Sequence, residues 1–372
     1  MSVYQTLEVA KVINAAATLT RLGGSRMPPP VVEAMSEAAE AFVDLPELQA
    51  RVGERIAEFT HNEACYISSG AAAGITVAVA SIIAGTDPEK INAFPYLDGI
   101  DKTELIVHRS QRNGYDYAAR QTGARLIEIE GTEEALRAAI NDKTAAVLWF
   151  AGAHFAADAL PLDRVVAIAH ENGLPVIVDA AAQIPPISNL WRFTREFGAD
   201  VAIFSGGKGL RGPQSSGLVL GKREIIEGCR PNGSPNSSIT RPMKVGKEEL
   251  AGILAAVEWS LNQDEEATIG GYETTVQNWI AGLQGIPGVT VERSFPSEAG
   301  QPHARAIVHI ASPSPWTRDD LIKALWDGYP RIAVGSSKSD DNAIALNPQT
   351  LEPGEAEIVL ERLRELLTSK PA

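Results

Sequence analysis

The sequence has few cysteines and no paired histidines, which limits the chemistry open to it. Its 372 residues include two cysteines, Cys65 and Cys229, and neither belongs to a CxxC motif. The 6 histidines lie far apart, without HxH or HxxxH spacing. Because zinc and iron sites need several such ligands at characteristic spacings, the sequence supports no metal site. We interpret both cysteines as small buried hydrophobic residues.

Basic charge and long apolar runs are also scarce. The 33 lysines and arginines face 47 aspartates and glutamates, which gives a formal net charge of -14. A nucleic-acid binder needs a basic face to neutralise phosphates, so we expect no nucleic-acid partner. The apolar run AAAGITVAVASIIAG, residues 71–85, is shorter than the roughly 20 residues of a membrane-spanning helix. With no secretory signal visible at the N-terminus, we expect a cytoplasmic protein without a membrane partner.

The sequence does contain a regular alternation of apolar, strand-like runs with helical segments. Runs such as EACYIS, TELIVH, TAAVLWFAG, LPVIVDA and ADVAIFSG are rich in Val, Ile and Ala. This alternation predicts an α/β fold with a mostly parallel sheet covered by helices on both faces. From about residue 247, helices mix with short strands, which predicts a smaller α+β domain. We therefore predict an N-terminal arm at 1–45, a large domain at 46–246 and a small C-terminal domain at 247–372.

Two segments that follow predicted strands of the large domain are candidates for ligand binding, because open α/β sheets bind ligands at that edge. The segment SSGAAAG, residues 68–74, joins a strand to a helix, and the first amides of a helix favour a phosphate. A plain helix N-cap would explain this segment equally well. Asp179 ends the run LPVIVDA, and a carboxylate there is costly to bury without a partner. A pyridinium nitrogen is such a partner, although an isolated aspartate is more often a cap or a metal ligand.

A third segment, Ser205-Gly206-Gly207-Lys208-Gly209, follows the run ADVAIF. It places an amine between glycines in the crevice of the sheet. Burial would lower the pKa of this amine and allow it to form an imine with an aldehyde cofactor. Taken alone, Lys208 would be interpreted as an exposed loop residue. Its occurrence together with the other two segments favours a pyridoxal-phosphate (PLP) site.

The sequence around Lys208 partly matches two nucleotide-binding motifs. Gly207-x-Gly209-x-x-Gly212 matches the dinucleotide fingerprint in spacing. That motif must open a helix, whereas Pro213 and the strand-like SGLVLG follow here. A Walker A loop would need glycine in place of Ala202 and Ser or Thr in place of Gly209. Neither nucleotide site is supported.

With these residues identified, the chain resembles fold-type-I PLP-dependent enzymes. More narrowly, it resembles the selenocysteine-synthase (L-seryl-tRNA selenium transferase)-like group, which includes D-glucosaminate-6-phosphate ammonia-lyase. The resemblance spans almost the whole chain. It is carried by NAAATLTRLGGSRMP, FVDLPELQARVGERIAEFT, SSGAAAGITVAVA, QRNGYDYAARQTGARLIE, LPVIVDAAAQIPP, FSGGKGLRGPQSSGLVLG and RPMKVGKEE.

The resemblance implies a role for each matched residue. Lys208 would hold PLP as a Schiff base and then serve as the base at the substrate α-carbon. Asp179 would pair with the pyridine nitrogen. Gln183 would approach the ring or its phenolic oxygen, or would be an ordinary polar contact in a turn. The cofactor phosphate would be held by Ser69, Gly70, Ala71 and Ser205.

Two positions depart from the pattern of the group. Gln111 stands where relatives usually carry histidine in a His-Arg-Asn-Gly-Tyr-Asp run, and it is a candidate to stack on the cofactor ring. Gly335 stands where relatives tend to carry an arginine that clamps the substrate carboxylate, with Arg331 nearby. Further substrate or phosphate contacts, each of which could instead be a structural ion pair or a surface residue, are Asn14, Arg21, Arg112 and Arg241.

The leading functional hypothesis is α,β-elimination of a 2-amino-3-hydroxy acid, which yields a 2-oxo acid and ammonia. The same cofactor chemistry supports racemisation or transamination, and both remain open. Selenium transfer to tRNA is disfavoured by the acidic charge. A catalytically silent binding subunit is a further alternative. The resemblance also implies a homodimer or larger homo-oligomer, because active sites of this fold type lie between subunits.

Overall fold

A computed structural model describes residues 2–337 and 340–369 of the chain. The chain divides into two compact units. The large unit comprises residues 25–263, and the small unit combines residues 1–24 with 264–372. These boundaries differ from the segment limits expected from the sequence, because residues 1–45 are shared between the units.

The helices and strands of the described residues follow one another as the sequence alternation predicts. The strands are β1 (Val12–Ala15), β2 (Ala64–Ser68), β3 (Glu104–His108), β4 (Arg125–Ile129), β5 (Thr144–Phe150), β6 (Val176–Asp179), β7 (Val201–Ser205), β8 (Gly217–Gly221), β9 (Val289–Ser294), β10 (Arg305–Ile310), β11 (Arg331–Ser336) and β12 (Ala343–Leu346). The helices are α1 (Val3–Thr6), α2 (Pro29–Ala39), α3 (Leu45–Phe59), α4 (Ala71–Ala84), α5 (Pro88–Ala93), α6 (Tyr117–Arg120), α7 (Glu133–Ala139), α8 (Ala153–Ala156), α9 (Leu162–Glu171), α10 (Asn189–Arg195), α11 (Arg223–Asn232), α12 (Lys247–Leu261), α13 (Glu265–Leu283), α14 (Arg318–Asp327) and α15 (Glu355–Thr368).

The large unit is built on a seven-stranded sheet in the order β2-β8-β7-β6-β5-β3-β4. Strand β8 runs antiparallel to both of its neighbours, and the other pairings are parallel. The prediction of a mostly parallel sheet flanked by helices is therefore confirmed. In the register of β8, Gly217 pairs with Ser68 on one side and with Ser205 on the other. The ends of β2 and β7 consequently share one edge of the sheet.

Both faces of this sheet are buried, which explains why its strands are continuous apolar runs in the sequence. In β5, Val147 and Trp149 belong to one hydrophobic cluster, whereas Leu148 and Phe150 belong to the cluster on the opposite face. Successive side chains of a strand point to opposite faces, so a strand covered on both sides buries all of its side chains, and these are mostly apolar. Helix α4 lies in the second cluster and is itself almost wholly buried.

The small unit contains a five-stranded sheet in the order β1-β11-β12-β10-β9. Strand β1 pairs in parallel with β11, and the remaining pairings are antiparallel. Helices α13, α14 and α15 contribute the apolar side chains that cover this sheet. Pairing with β11 explains why the first residues belong to this unit, whereas α2 packs on α12 within the large unit.

Two further properties concern the whole described chain. Among the residues that the structure describes, no helix is long and apolar enough to cross a membrane. Within those same residues, no group of three or more His, Cys, Asp or Glu side chains is arranged to hold a metal ion.

Candidate active site

Three of the segments singled out from the sequence meet at one edge of the large sheet. Ser68 ends β2, Asp179 ends β6 and Ser205 ends β7. Strand β6 pairs in parallel with β7, with Asp179 opposite Ile203. Since β2 and β7 end at the same register position of β8, all three residues lie along the carboxyl edge of the sheet. This is the edge at which open α/β sheets bind ligands.

The turn between β2 and α4 is shaped to bring backbone amides to this edge. Gly70 precedes α4 with φ +113°, a conformation that a residue with a side chain rarely adopts. The Ser68 hydroxyl donates a hydrogen bond of 2.9 Å to the Gly70 carbonyl and fixes the turn. A Cβ at Gly217 would lie 2.6 Å from the Gly70 carbonyl carbon, so glycine is needed on β8 as well. The first-turn amides of α4, which begins at Ala71, have no acceptor within the helix and carry its positive dipole end.

Asp179 is buried at the end of β6 with a single short-range hydrogen bond. The residue is 8% exposed, and Oδ1 accepts a hydrogen bond of 3.0 Å from the Ala181 amide. Burial raises the pKa of its carboxyl group, while the Ala181 amide and the charge of Lys208 act in the opposite direction. A carboxyl group in this environment gains from an N–H partner in the crevice.

Lys208 lies on a loop whose glycines are required by backbone packing. A Cβ at Gly206 would lie 2.1 Å from Ser216 Oγ, and one at Gly209 would lie 2.1 Å from the Ile184 carbonyl oxygen. The Gly209 contact joins this loop directly to the turn that follows Asp179. Burial lowers the pKa of the Lys208 amine, and the charge of Asp179 opposes this effect.

Two hydrogen bonds from Ser25 hold the lysine loop, and the sequence did not single out this serine. Its hydroxyl donates to the Lys208 carbonyl at 2.6 Å, and its amide donates to the Gly207 carbonyl at 3.0 Å. Ser25 precedes Lys208 by 183 positions, so no local pattern connects them. The one available signal is that Ser25 lies in LGGSRMP, part of the segment on which the family resemblance rests.

The described residues fit PLP on three counts. The Lys208 amine makes no hydrogen bond or ion pair with any residue that the structure describes, although it is largely buried. The Asp179 carboxyl group is buried and offers an oxygen to a ring nitrogen. The amides at the start of α4 suit a phosphate. An aldehyde, a pyridine nitrogen and a phosphate are the three groups that this arrangement can accept.

Gln183 and Ser205 remain near these groups. Gln183 is 9% exposed, its amide donates to the Ala180 carbonyl at 3.0 Å, and its carbonyl accepts from Asn189 at 2.7 Å. It therefore lies in the turn that follows Asp179. Ser205 is partly buried at the end of β7 and pairs with Gly217. A cofactor role for either residue stays a prediction.

The Gln111 side chain is held by the backbone of Phe150, and its expected stacking on the cofactor ring stays a prediction. Its side chain is fully buried, and both amide atoms are engaged by the backbone of Phe150. Nε2 donates to the Phe150 carbonyl and Oε1 accepts from the Phe150 amide, each at 3.1 Å. These two hydrogen bonds fix the orientation of the Gln111 amide at the end of β5. Nearby, burial lowers the pKa of the fully buried His108, and the Gln111 side chain acts in the opposite direction.

Arg112 is committed to ion pairs, in agreement with the structural alternative left open above. Its Nε lies 2.5 Å from Asp116 Oδ2, and Nη1 pairs with Glu128. Arg120 binds the other oxygen of the buried Asp116 at 2.8 Å. Arg241, by contrast, is exposed on the loop that follows α11.

The remaining predicted contacts lie in the small unit. Asn14 closes its own turn, donating to the Ala17 carbonyl at 2.8 Å and accepting from the Ala16 amide at 2.9 Å. The guanidinium groups of Arg21 and Arg331 both stack on Trp326, at 5.8 and 4.8 Å from its ring centroid. Gly335 lies on β11, where it pairs with Ala345 on β12. Substrate contacts by these residues stay predictions.

The fold, with a buried aspartate and a glycine-flanked lysine at the carboxyl edge of its sheet, indicates the class of protein: a fold-type-I PLP-dependent enzyme. The family model described as aminotransferase class-V matches residues 93–243, which include β6, β7 and the Lys208 loop. A solved structure of D-glucosaminate-6-phosphate ammonia-lyase superimposes with a TM-score of 0.84 and 31% identity, covering 98% of both chains.

Two curated relatives match over nearly the full length of the chain. D-glucosaminate-6-phosphate ammonia lyase of Salmonella typhimurium is 32% identical over 375 residues, 98% of each chain. A 5'-C-glycyluridine monooxygenase-decarboxylase of a Streptomyces species is 33% identical over 377 residues, 98% of this chain and 92% of the relative. The chain belongs to the family of PLP-dependent enzymes that these two proteins represent.

Proposed function

We propose that this enzyme catalyses α,β-elimination of a 2-amino-3-hydroxy acid, a sugar acid or a smaller analogue, and releases ammonia and a 2-oxo acid. The observation that carries the proposal is the largely buried Lys208 amine, which has no hydrogen-bond partner among the described residues and faces the charge of Asp179. The full-length similarity to an ammonia lyase supports this reaction.

The proposed roles follow from the environment of each group. When bound, PLP supplies an electron sink that acidifies the C–H bond at the substrate α-carbon. Lys208 holds the cofactor and then accepts the α-proton. Because burial lowers its pKa, a larger fraction of this amine is neutral near pH 7 than for an exposed lysine. The β-hydroxyl would leave the adjacent carbon as water, with the proton that Lys208 accepted, and hydrolysis of the resulting 2-imino acid would give the 2-oxo acid and ammonia.

Asp179 and the start of α4 would position the cofactor. Asp179 would pair with the ring nitrogen and hold its proton, because the buried carboxyl group has a single backbone hydrogen bond and gains from a charged N–H partner. The amides of Ser69, Gly70 and Ala71, together with the Ser205 hydroxyl, would bind the phosphate. Gln183 would support the ring from the turn after Asp179.

The first experiment is an absorption spectrum of the purified protein before and after borohydride. We expect a band near roughly 410–430 nm, the range of a protonated PLP–lysine imine, that borohydride removes. The Lys208→Ala variant should lack the band. A colourless wild-type protein after addition of PLP would overturn the roles of both Lys208 and Asp179.

The reaction itself is tested by product analysis across a panel of 2-amino-3-hydroxy acids. Elimination predicts ammonia and a 2-oxo acid in equal amounts. Exchange of the α-hydrogen with solvent without ammonia release would instead establish a racemase. Amino-group transfer to an added 2-oxo acid would establish an aminotransferase.

A second candidate reaction is favoured by the relative named a monooxygenase-decarboxylase. Oxidative decarboxylation of an amino acid would consume oxygen and release carbon dioxide. Parallel measurement of oxygen uptake and ammonia release separates this reaction from elimination, because elimination proceeds at the same rate under nitrogen.

We further propose a cytoplasmic homodimer. The family resemblance supports the dimer, and the acidic composition agrees with a small-molecule substrate and no nucleic-acid partner. Light scattering of the purified protein tests the assembly, and retention of tRNA on a filter at moderate salt would overturn the exclusion of nucleic acid.

A further inference from the structure

The large unit contains a cavity of about 320 Å³ beside the edge strand β2. The start of α3, the end of α11, the loop that follows it and the start of α12 form its walls. None of the residues assigned to the PLP site lines it. Its lining includes Leu45, Tyr66, Arg230, Met243, Val245 and Leu250. We call it the β2 pocket.

Tyr66 brings a hydrogen-bond donor to the β2 pocket. The residue is 6% exposed, and the Gln49 side chain lies within hydrogen-bonding reach of its hydroxyl. A Cβ at Gly233 would lie 2.0 Å from this hydroxyl, so a glycine is needed where the loop passes over it. Burial raises the pKa of the phenol to about 12, which keeps the hydroxyl protonated near neutral pH.

Gln49 supplies a fixed acceptor on the same wall. Its Nε2 donates to the Ile67 carbonyl on β2 at 2.7 Å, which sets the orientation of the amide. Its Oε1 is buried and has no hydrogen-bond partner among the described residues. A flip of the amide would place an oxygen against the Ile67 carbonyl, so the orientation is strongly preferred. An unpaired buried acceptor is costly unless a ligand donates to it.

Arg230 contributes positive charge. Its Nε donates to Glu227 Oε2 at 3.1 Å, one turn earlier on α11, and the side chain is 28% exposed. This contact anchors the guanidinium while its other N–H groups remain to bind an anion. Facing these polar groups, Leu45, Val245 and Leu250 form an apolar wall.

We propose that the β2 pocket binds a small organic acid that carries an N–H or O–H donor beside its carboxylate and an apolar side group. The carboxylate would accept hydrogen bonds from Arg230 and Tyr66. The neighbouring donor would bind Gln49 Oε1, and the side group would cover the apolar wall. Apolar 2-amino acids and 2-hydroxy acids share this chemistry. The site is separate from the proposed elimination and does not depend on it.

The test is a calorimetric titration of the PLP-loaded enzyme with a matched series of probes. The series consists of L-leucine, 2-hydroxy-4-methylpentanoate, 4-methylpentanoate and 3-methylbutylamine. We expect L-leucine or the hydroxy acid to bind, and the tighter of the two identifies the source of the donor. The probe without a donor should bind about tenfold more weakly because Gln49 stays unpaired. The amine, which has no carboxylate, should not bind.

Single substitutions with matched controls assign the binding to this pocket. Tyr66→Phe removes one hydroxyl and should weaken binding about tenfold, whereas Tyr96→Phe, at a residue 78% exposed, should not. Arg230→Met should weaken binding by about tenfold or more. Arg51→Met removes an equivalent i,i+3 ion pair on α3 and should leave binding intact.

The cofactor absorption band, recorded in the same samples, separates the two sites. A probe at the Lys208 site perturbs this band, whereas a probe in the β2 pocket does not. Binding that perturbs the band and survives Tyr66→Phe would overturn the proposal. So would a failure of every probe to bind at millimolar concentration, as expected for a pocket closed by a second copy of the chain.

Discussion

Two buried aspartates at opposite edges of the large sheet have very different surroundings. Asp200 precedes β7 at the amino edge, and its carboxylate is fully paired. It binds Lys222 Nζ at 2.5 Å, His170 Nε2 at 2.9 Å and the Val176 amide at 2.7 Å. Asp179 ends β6 at the carboxyl edge and has one hydrogen bond from a backbone amide.

This difference indicates that Asp200 has a structural role and that Asp179 binds a ligand. A buried carboxylate stabilises a fold when its partners compensate for lost hydration. Asp200 has such partners within the protein. Asp179 and the unpaired Lys208 amine together lack them, which leaves both groups to a bound cofactor. The four pairs of substitutions below test this contrast and the packing around the candidate site.

The largest expected effect is that of Lys208→Ala. Turnover should fall by about 10³-fold or more, because the variant loses both the cofactor link and the base. The cofactor band should disappear from the spectrum. Lys222→Ala is the matched control at the other edge, and it should keep the band while losing some stability. Loss of the band in both variants would contradict the proposed division of roles.

Asp179→Asn should lower turnover by about 100-fold, since an amide cannot hold the proton of the ring nitrogen in the same way. Its thermal midpoint without cofactor should stay near that of the wild type. Asp200→Asn should show the reverse pattern, with stability lowered by about 1–3 kcal/mol and turnover of the folded enzyme retained. Turnover and thermal unfolding are measured for both variants. Equal losses of turnover would contradict the proposed difference between a catalytic Asp179 and a structural Asp200.

Gly209→Ala tests the packing that joins the Asp179 turn to the Lys208 loop. Its Cβ would lie 2.1 Å from the Ile184 carbonyl oxygen, so the backbone must shift. We expect PLP affinity to fall about tenfold, since small misplacements in a preorganised site are costly. Gly114→Ala, where a Cβ meets no atom within 4 Å, should leave affinity unchanged. Fluorescence titration of the cofactor-free proteins with PLP measures both.

The smallest effect concerns stability and its dependence on pH. Burial lowers the pKa of Lys208 in the folded protein below its ordinary value of 10.5. Between the two values the unfolded chain binds more protons, so wild-type stability rises with pH across that window. Lys208→Met should therefore stabilise the cofactor-free protein by about 1 kcal/mol near neutral pH, with the gain shrinking as pH approaches 10.5. Urea unfolding measures this gain, and Lys222→Met should instead destabilise.

The strands that carry the candidate site were predictable because they are buried on both faces. EACYIS, LPVIVDA and ADVAIF became β2, β6 and β7 with small differences at their ends. Other elements escaped prediction for physical reasons. Helix α11 contains Gly228 and Pro231, which are poor helix formers. Gly228 is required there because a Cβ would lie 2.2 Å from Ser81 Oγ on α4.

The candidate site was predictable where its residues follow buried strands and not where their partners are distant in sequence. Asp179 and Lys208 each end or follow such a strand, and the structure brings them within electrostatic reach. Gln111 is bound to the backbone of Phe150, 39 positions away, a contact that no local sequence pattern shows. Arg112 likewise pairs with Glu128 on the neighbouring strand.

The sequence by itself determined the α/β fold and a lysine and aspartate suited to PLP, because buried strands, glycine turns and strand-end polar residues are local patterns. Only the tertiary structure decided which polar groups are paired. The Ser25 bond to Lys208, the engaged amide of Gln111 and the unpaired Oε1 of Gln49 among the described residues all depend on segments distant along the chain. Hydrogen bonds are directional and short-ranged. A polar side chain is therefore paired within the protein only where the fold brings a partner within about 3 Å, and otherwise it can bind a ligand.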